Sequence, residues 1–203
     1  MIAIIDYGMG NLGSIFNMLK KIGSQSIITS DIELIRNANK IILPGVGSFD
    51  TAIKKIDELG LRNIILEIAL DMKKPLLGIC LGMQLLMQGS DEGSLPGLGL
   101  VKGRAHHFRN HLSKEFKIPH MGWNDIRVNN ITKLTQGFNE EIRFYFVHSY
   151  FVHVKNEHNS MMKCFYGIDF DAAIQNENIL GVQFHPEKSH KYGIQLFRNF
   201  VAL

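Results

Sequence analysis

The sequence predicts an α/β fold, with an open, mixed and mostly parallel sheet flanked by helices and carrying an antiparallel extension. Up to residue 88, buried strand-like runs alternate with amphipathic helical patterns, which is typical of parallel strands joined by helical crossovers. Beyond residue 103, short apolar stretches separated by polar turns indicate antiparallel strands. A chain of 203 residues is expected to form one domain, residues 1–203.

The first half of the chain supplies the parallel strands and their helices. Continuous apolar runs predict buried strands at residues 2–5 and 40–43. A second strand is expected at residues 25–30, and a further apolar run leads into Gly78 and Cys80. Periodic apolar patterns predict helices at residues 12–22, 48–56 and 61–72 and from residue 82 onward. Asp31 and Ser48 are the expected N-caps of the helices that follow the second and third strands.

The second half begins with a glycine-rich loop at residues 89–103. The strands predicted beyond it lie at residues 100–101, 106–108, 126–128, 143–148, 150–154, 161–165, 172–174 and 179–184. The last two form a hairpin that returns to the core, and residues 188–201 close the chain as a helix. Residues 110–116 and 129–141 are polar and contain no motif from which to infer a role.

The composition is that of an ordinary globular protein, with 45% hydrophobic residues, 20% charged residues and a net charge of +3. No basic run has interleaved aromatic residues, so nucleic-acid binding is not expected. The apolar stretches are too short to span a membrane. Two cysteines, Cys80 and Cys164, are too few for a secreted disulfide framework. With no leader peptide visible, we expect a cytoplasmic protein.

Two further patterns are weak evidence for a cofactor or a metal. Residues 8–13 have the G-x-G-x-x-G spacing of a dinucleotide-binding loop, but no acidic residue ends the next strand. His106, His107 and His111 lie in a polar stretch without the cysteine or acidic partners that would complete a ligand set. We therefore expect no cofactor and no metal site.

Cys80 lies at the most informative point of the chain. An apolar strand leads to Gly78, and a helical pattern follows Gly82, so the cysteine stands in a strand–turn–helix pattern. This pattern is typical of a nucleophile elbow, in which glycine avoids clashes at the tight bend. The N-terminal end of a helix also favours a thiolate. The alternative is a buried core cysteine, because free cysteine is among the most buried residue types.

His185 and Glu187 are the candidates for activating this thiol. Functional sites of open α/β sheets form at the carboxyl ends of parallel strands, where both Cys80 and His185 are predicted to lie. If the strand at residues 179–184 runs parallel beside the Cys80 strand, the imidazole reaches the thiol. The Glu187 carboxylate can then bond the far ring nitrogen and orient it.

Acyl transfer also requires N–H donors for the tetrahedral oxyanion. The N–H of Leu81, directly after the nucleophile, is one candidate. The Gly45-Val46-Gly47 turn is the other, because it ends the neighbouring strand and glycine tolerates backbone angles that turn an N–H inwards.

Several stretches together resemble a known family. Residues 78–84 (GICLGMQ) and 184–187 (FHPE) resemble the triad-type, class I glutamine amidotransferases. The resemblance runs nearly end to end and is narrowed to the glutaminase subunit of imidazole glycerol phosphate synthase by residues 6–12, 44–47, 119–124 (PHMGWN) and 145–150 (YFVHSY).

The resemblance implies a reaction and a partner. Cys80 attacks the side-chain amide of L-glutamine and forms a glutamyl thioester. His185 transfers the proton to ammonia and then activates water, Glu187 orients His185, and Gly47 and Leu81 supply the oxyanion donors. The ammonia passes to a (βα)8-barrel synthase subunit of a heterodimer. That subunit makes imidazole glycerol phosphate and AICAR in histidine biosynthesis.

The resemblance also implies two sets of binding residues. The residues that hold the substrate are Gln84, His148, Ser149 and Tyr150, and those that face the synthase are Asn11, Trp123, Tyr145 and Lys188. Each has an ordinary alternative from the residues alone. Gln84 is also compatible with a plain helix position, Trp123 with a core aromatic and Lys188 with a solvated lysine.

Three other functions compete with this one. A catalytically silent binding subunit is disfavoured because the cysteine, histidine and glutamate are all present. A cysteine peptidase is disfavoured because Gln84 and the 148–150 edge suit a small amino acid. A paralogous glutaminase that supplies ammonia for amidination of a surface sugar is favoured by residues 170–173 and 188–191. For the glutaminase we expect low activity without the partner, because the 44–47 peptide faces the wrong way until docking.

Overall fold

The strands of the described residues, 1–138 and 141–203, form one mixed sheet of 11 strands. In this computed structural model they are β1 (Ile2–Ile5), β2 (Ser26–Thr29), β3 (Lys40–Leu43), β4 (Leu76–Ile79), β5 (Gly103–His107), β6 (His120–Val128), β7 (Ile142–His148), β8 (Tyr150–Val154), β9 (Ser160–Phe165), β10 (Asp169–Asn176) and β11 (Ile179–Val182). The order across the sheet is β2-β1-β3-β4-β11-β10-β9-β6-β7, and β8 joins β10 to β5.

The sheet changes character at the β10–β11 hairpin. Strands β2, β1, β3, β4 and β11 are parallel neighbours. From β10 outward, all pairings are antiparallel. The predicted α/β class, with a parallel part and an antiparallel extension, is confirmed. The condition for His185 to reach the thiol is also met, because β11, at Ile179–Val182, runs parallel beside the Cys80 strand β4.

Helices cover both faces of the parallel strands. They are α1 (Leu12–Lys21), α2 (Ile32–Asn37), α3 (Phe49–Glu58), α4 (Leu61–Leu66), α5 (Leu81–Leu85) and α6 (His190–Ala202). Alternate residues of each strand point to opposite faces. Ile2 and Ile4 therefore pack in the core under α1 and α6, while Ala3 and Ile5 pack in the core under the other helices.

The helix predicted at residues 61–72 is only partly an α-helix. After α4 the chain continues as a π-helical turn, Glu67–Asp71. Asp31 caps α2 as expected, since its side chain accepts a hydrogen bond from the Leu34 N–H at 2.9 Å. Ser48 precedes α3, but its hydroxyl bonds Thr51 instead of a helix N–H.

Three strand predictions in the second half differ from the structure. Residues 100–101 are buried but form no strand, and the strand placed at 106–108 is β5. The strand placed at 126–128 is the nine-residue β6. In its first half the less exposed positions are His120, Gly122 and Asn124, while Met121 and Trp123 are exposed, so the apolar-inward alternation that marks a strand is absent there. The polar segment 129–141 lies partly outside the described residues, because residues 139 and 140 are not described.

Within the described part of the chain, no helix has both the length and the apolar surface that a bilayer crossing requires. No cluster of three His, Cys, Asp or Glu side chains there is arranged to bind a metal ion. His106 lies beside Asp91, with its Nδ1 at 3.2 Å from the carboxylate, and the His107 Nδ1 accepts the N–H of Arg109 at 2.8 Å.

Candidate active site

Cys80 occupies a strained turn between β4 and α5. Its φ is 54° and its ψ −110°, which is unusual for a residue other than glycine. The flanking glycines make this turn possible. A Cβ on Gly78 would lie 2.6 Å from the Gly82 carbonyl oxygen, and a Cβ on Gly82 would overlap the Leu43 carbonyl oxygen. The local sequence therefore builds an elbow that presents the thiol at the carboxyl end of β4.

His185 and Glu187 follow the end of β11, the parallel neighbour of β4. The His185 Nδ1 lies 2.8 Å from Glu187 Oε1, and both side chains are buried. A carboxylate accepts hydrogen bonds, so Nδ1 carries the proton and donates it. Among the described residues, the buried His185 Nε2 has no hydrogen-bond partner. This nitrogen is therefore the one available to exchange a proton.

The charge state of His185 follows from its neighbours. Burial disfavours the charged ring, but the interactions with Cys80 and with the Glu187 carboxylate outweigh burial and raise the pKa of His185 to about 10. The ring is consequently poised to hold the proton that the thiol releases.

Strand β7 holds the turn that carries the histidine. The His185 N–H donates to the Tyr145 carbonyl at 2.9 Å. The Tyr145 N–H donates to Ser189 Oγ at 3.0 Å, and the Ser189 hydroxyl donates to the His185 carbonyl at 2.7 Å. Ser189 is fully buried. The three bonds fix the imidazole on a rigid element.

One cavity of about 370 Å³ opens in front of Cys80. Of the predicted site residues, those that line it are Gly47, Cys80, Leu81, Gln84, His148, Ser149, Tyr150, His185 and Lys188. The lining is completed by Val46, Glu92, Pro119 and Val147. Glu187 lies behind His185, outside the lining. The structure thus brings together predicted site residues from Gly47 to Lys188, which are far apart in the sequence.

Two backbone N–H groups at this cavity are free. In the described part of the chain, neither the Leu81 N–H nor the Gly47 N–H donates a hydrogen bond. Gly47 has a φ of 107°, a conformation that favours glycine. The Tyr7 hydroxyl donates to the Pro44 carbonyl at 2.6 Å and fixes the start of this turn. The expected reorientation of the 44–47 peptide on partner docking stays a prediction.

Gln84 is held by two acceptors. Its Nε2 donates to the Tyr150 carbonyl at 3.3 Å and to Gln183 Oε1 at 3.1 Å. Because a backbone carbonyl can only accept, the amide nitrogen of Gln84 must point there. The side-chain oxygen of Gln84 is left to accept hydrogen bonds elsewhere, and Gln84 lines the cavity.

A buried pair of histidines supports the same wall. The His148 Nδ1 donates to the Tyr150 carbonyl at 2.7 Å, and its Nε2 lies 2.9 Å from His120 Nδ1. The Asn124 amide lies 3.2 Å from the other His120 nitrogen. The carbonyl acceptor sets the direction, so the bonds run from Asn124 through His120 and His148 to Tyr150. Both rings are neutral in this arrangement.

A sequence model of the family described as Glutamine amidotransferase class-I matches residues 3–203. The chain belongs to this family. It is 53% identical to "Imidazole glycerol phosphate synthase subunit HisH 2" of Methanococcus maripaludis, over 99% of this chain and 98% of that relative. It is 44% identical to a protein of the same name from Pseudomonas aeruginosa, over 100% of both chains. A crystal structure of a glutamine amidotransferase superposes with a TM-score of 0.78 at 18% identity, covering 100% of this chain and 98% of that one.

These findings confirm the family and the fold predicted from the sequence, and they identify the chain as an amidotransferase enzyme. The relatives' names also imply that the chain is one subunit of a larger enzyme. The roles of individual residues stay predictions, and the geometry above is what supports them.

Sequence reasoning missed Glu92, a residue that lines the amidotransferase cavity. Its carboxylate has the negative charge that suits an ammonium group. Glu92 is the acidic member of the lining, and its Oε2 accepts the Phe49 N–H at 2.9 Å. Burial raises the pKa of this carboxyl group. Glu92 lies in the glycine-rich 89–103 loop, where no periodicity or motif drew attention to it.

The predicted partner residues of the amidotransferase cluster around the 3₁₀ turn that follows His185. Trp123 is 40% exposed and stacks on His190, with ring centroids 5.5 Å apart. Lys188 Nζ lies 5.6 Å from the centre of the Tyr145 ring. Asn11 precedes α1, which packs against the same turn. Trp123, Tyr145 and Lys188 thus lie together, and Lys188 also lines the cavity.

Proposed function

We propose that this chain is the glutaminase subunit of imidazole glycerol phosphate synthase and that it hydrolyses L-glutamine with Cys80, His185 and Glu187. The observation that carries the proposal is the shared cavity: a strained cysteine elbow faces a histidine whose Nδ1 is held by a buried glutamate. The names of the relatives supply the synthase and its pathway.

The first half of the reaction forms a thioester. Because the pKa of His185 is raised to about 10, its Nε2 holds the proton of the Cys80 thiol before substrate reacts, and the thiolate Sγ attacks the side-chain amide carbon of glutamine. The N–H groups of Leu81 and Gly47 stabilise the oxyanion. His185 then protonates the amide nitrogen, the C–N bond breaks, and ammonia leaves a glutamyl thioester behind.

The second half reverses these roles. His185 Nε2 takes a proton from water, the resulting hydroxide adds to the thioester carbon, and the C–S bond breaks with its electron pair on Sγ. Glutamate leaves, and Cys80 and His185 return to their initial state. Throughout, Glu187 keeps the proton on Nδ1 and stabilises the charged ring.

The polar groups of the cavity suit the two charged ends of an amino acid. Glu92 and the free side-chain oxygen of Gln84 accept hydrogen bonds from the α-ammonium group. Ser149 and Tyr150 provide neutral donors for the α-carboxylate. Both ring nitrogens of His148 are already occupied, so His148 acts by holding Tyr150 in place.

The partner in this proposal is the (βα)8-barrel synthase subunit, which receives ammonia in a cytoplasmic heterodimer. Asn11, Trp123, Tyr145 and Lys188 form the contact face. An exposed tryptophan beside a tyrosine and a lysine, at the rim of the cavity, is the kind of surface that protein partners cover.

The direct test compares Cys80→Ala with Cys164→Ala in the presence of the barrel partner. Cys164 is the other cysteine, buried in β9, and its loss should leave glutamate release within about twofold of wild type. Cys80→Ala should lower release by at least about 1,000-fold, because no nucleophile remains. Release at the wild-type rate by Cys80→Ala would contradict the mechanism. A wild-type complex that releases no glutamate would favour a silent subunit.

A second candidate is the paralogous glutaminase that supplies ammonia for amidination of a surface sugar. The observation that favours it is the sequence at residues 170–173 and 188–191, which resembles that paralogue more closely. Measuring glutamate release with each available barrel partner decides between the two. The histidine-pathway barrel should raise the low rate of the isolated chain by at least about tenfold.

A further inference from the structure

We propose that Gln183 is a further catalytic residue, whose side-chain amide donates a hydrogen bond to the Cys80 sulfur and stabilises it as a thiolate. Gln183 Nε2 lies 3.8 Å from Sγ, within range of an N–H···S hydrogen bond. The side chain is fully buried. The inference rests on the proposed function only in the step where the thiolate acts on glutamine.

The direction of this bond is set by the neighbouring side chains. The Tyr150 carbonyl accepts from the Gln84 amide, so the amide nitrogen of Gln84 also faces Gln183. That nitrogen must meet the oxygen of Gln183. The nitrogen of Gln183 is thereby turned towards the sulfur, and the amide cannot flip without losing its bond to Gln84.

The backbone holds Gln183 firmly at this place. Its N–H donates to the Ala172 carbonyl at 2.9 Å, one step beyond the end of β11. The Cys80 N–H donates to the Val182 carbonyl at 2.8 Å, so the two segments are tied together beside the side-chain contact. A donor on such a scaffold needs no rearrangement to meet the sulfur.

An amide donor supplies something that His185 cannot. The His185 ring gives its proton to ammonia and then takes one from water, so its charge changes twice in each turnover. The N–H of an amide does not titrate, and it stabilises a negative sulfur whatever the state of His185. Its contribution is greatest when the C–S bond of the thioester breaks and Sγ becomes negative.

The experiment measures alkylation of Cys80 by iodoacetamide in the full chain, with the modified residue identified by mass spectrometry. It needs neither glutamine nor a partner. Gln183→Met keeps an unbranched side chain of similar length but has no N–H. At pH 7 we expect its Cys80 to be alkylated about tenfold more slowly than that of wild type. The two rates should converge at high pH, where any thiol is ionised.

Two further variants complete the design. Gln183→Glu has nearly the same shape and places an acceptor beside the sulfur, so its alkylation at pH 7 should be at least as slow. If Gln183→Met does not fold, Gln183→Glu alone provides the alkylation test. Gln195→Met, the same substitution in α6, should match wild type.

Folded Gln183→Met or Gln183→Glu protein that is alkylated at the wild-type rate across the pH range overturns the inference. The proposed function fails separately. If the wild-type complex releases no glutamate while the alkylation difference is present, the role of Gln183 towards the sulfur stands and the glutaminase assignment does not.

Discussion

The two buried histidines, His120 and His148, should make the fold sensitive to mild acid. Burial lowers the pKa of His120 to about 4. Burial, and next the neighbouring His120, lowers the pKa of His148 to about 3. The hydrogen bonds that run from the Asn124 amide through His120 and His148 to the Tyr150 carbonyl also require both rings to be neutral.

The sign follows from proton uptake on unfolding. Both folded pKa values lie below the ordinary value of 6.5, so the stability from these groups is present above pH 6.5 and is lost as pH falls. Below 6.5 the unfolded chain binds two more protons than the folded one, which gives a slope of about 2.7 kcal/mol per pH unit. From pH 7 to pH 5 the free energy of unfolding should therefore fall by about 4 kcal/mol.

Other titratable groups also change the free energy of unfolding between pH 7 and pH 5, but they leave the contribution of His120 and His148 unchanged. Burial, together with Arg109, lowers the pKa of His107, which adds to the loss in acid. Burial raises the pKa of Glu92, which acts in the opposite sense. His185 is charged in both states below pH 6.5, because its folded pKa is raised, and it contributes only at higher pH. Comparing variants separates the histidine pair from these groups.

The assay is urea unfolding at several pH values between 7 and 5, for wild type, His120→Phe and His158→Phe. Phenylalanine keeps the stack of His120 between Phe146 and Tyr166 but cannot be protonated. Between pH 7 and pH 5 the free energy of unfolding of His120→Phe should fall by roughly 2 kcal/mol, half the fall of wild type. His158 is exposed, and its variant should follow wild type.

The reasoning is refuted if wild type loses less than about 1 kcal/mol between pH 7 and pH 5. It is equally refuted if His120→Phe and wild type show the same pH dependence, since one titrating group would then have been removed without effect.

The remaining predictions concern packing, the elbow and the triad. Phe184→Ala should lower the free energy of unfolding, measured by urea titration, by about 3–5 kcal/mol. The variant loses a fully buried ring whose centroid lies 3.8 Å from that of Phe144. The same change at the exposed Phe165 should cost under about 1 kcal/mol. Gly82→Ala places a Cβ against the Leu43 carbonyl oxygen, so it should lower both the thermal midpoint and the rate at which Cys80 is alkylated. The control is Gly13→Ala in α1, where the space is open, and it should stabilise the fold by about 0.5–1 kcal/mol. Glu187→Gln keeps the shape of the side chain but removes the charge beside His185 Nδ1. Glutamate release in the presence of the partner should fall by about 100-fold or more, with little change in KM. Release at the wild-type rate would exclude Glu187 from the mechanism.

Local sequence patterns predict the parallel half of the fold well. The bounds of β1 and β3 match the apolar runs at residues 2–5 and 40–43, because a strand buried on both faces must be continuously apolar. β6 was largely missed, because His120, Gly122 and Asn124 take the less exposed positions of its first half while Met121 and Trp123 are exposed. The π-helical turn was missed as well, because apolar periodicity does not distinguish it from an α-helix.

The site shows the same division. Cys80, His185 and Glu187 could be proposed because their neighbours are distinctive: glycines at a bend, and a strand end followed by proline. Glu92 and His120 could not, because their roles depend on where a loop and an edge strand lie relative to the cavity. Gln183 directly precedes the FHPE motif, and only its contact with Sγ singles it out.

The arrangement of the site depends on the order of three strands. β3, β4 and β11 are parallel neighbours, and their carboxyl ends supply Gly47, Cys80 and His185. The β10–β11 hairpin sets this order, because it returns the chain antiparallel to β10 and parallel to β4, with Ala173 opposite Val182. Since successive side chains alternate between faces, a shift of β11 by one residue would turn His185 away from Cys80. The buried apolar residues of β11 therefore fix the position of the catalytic base as well as the core.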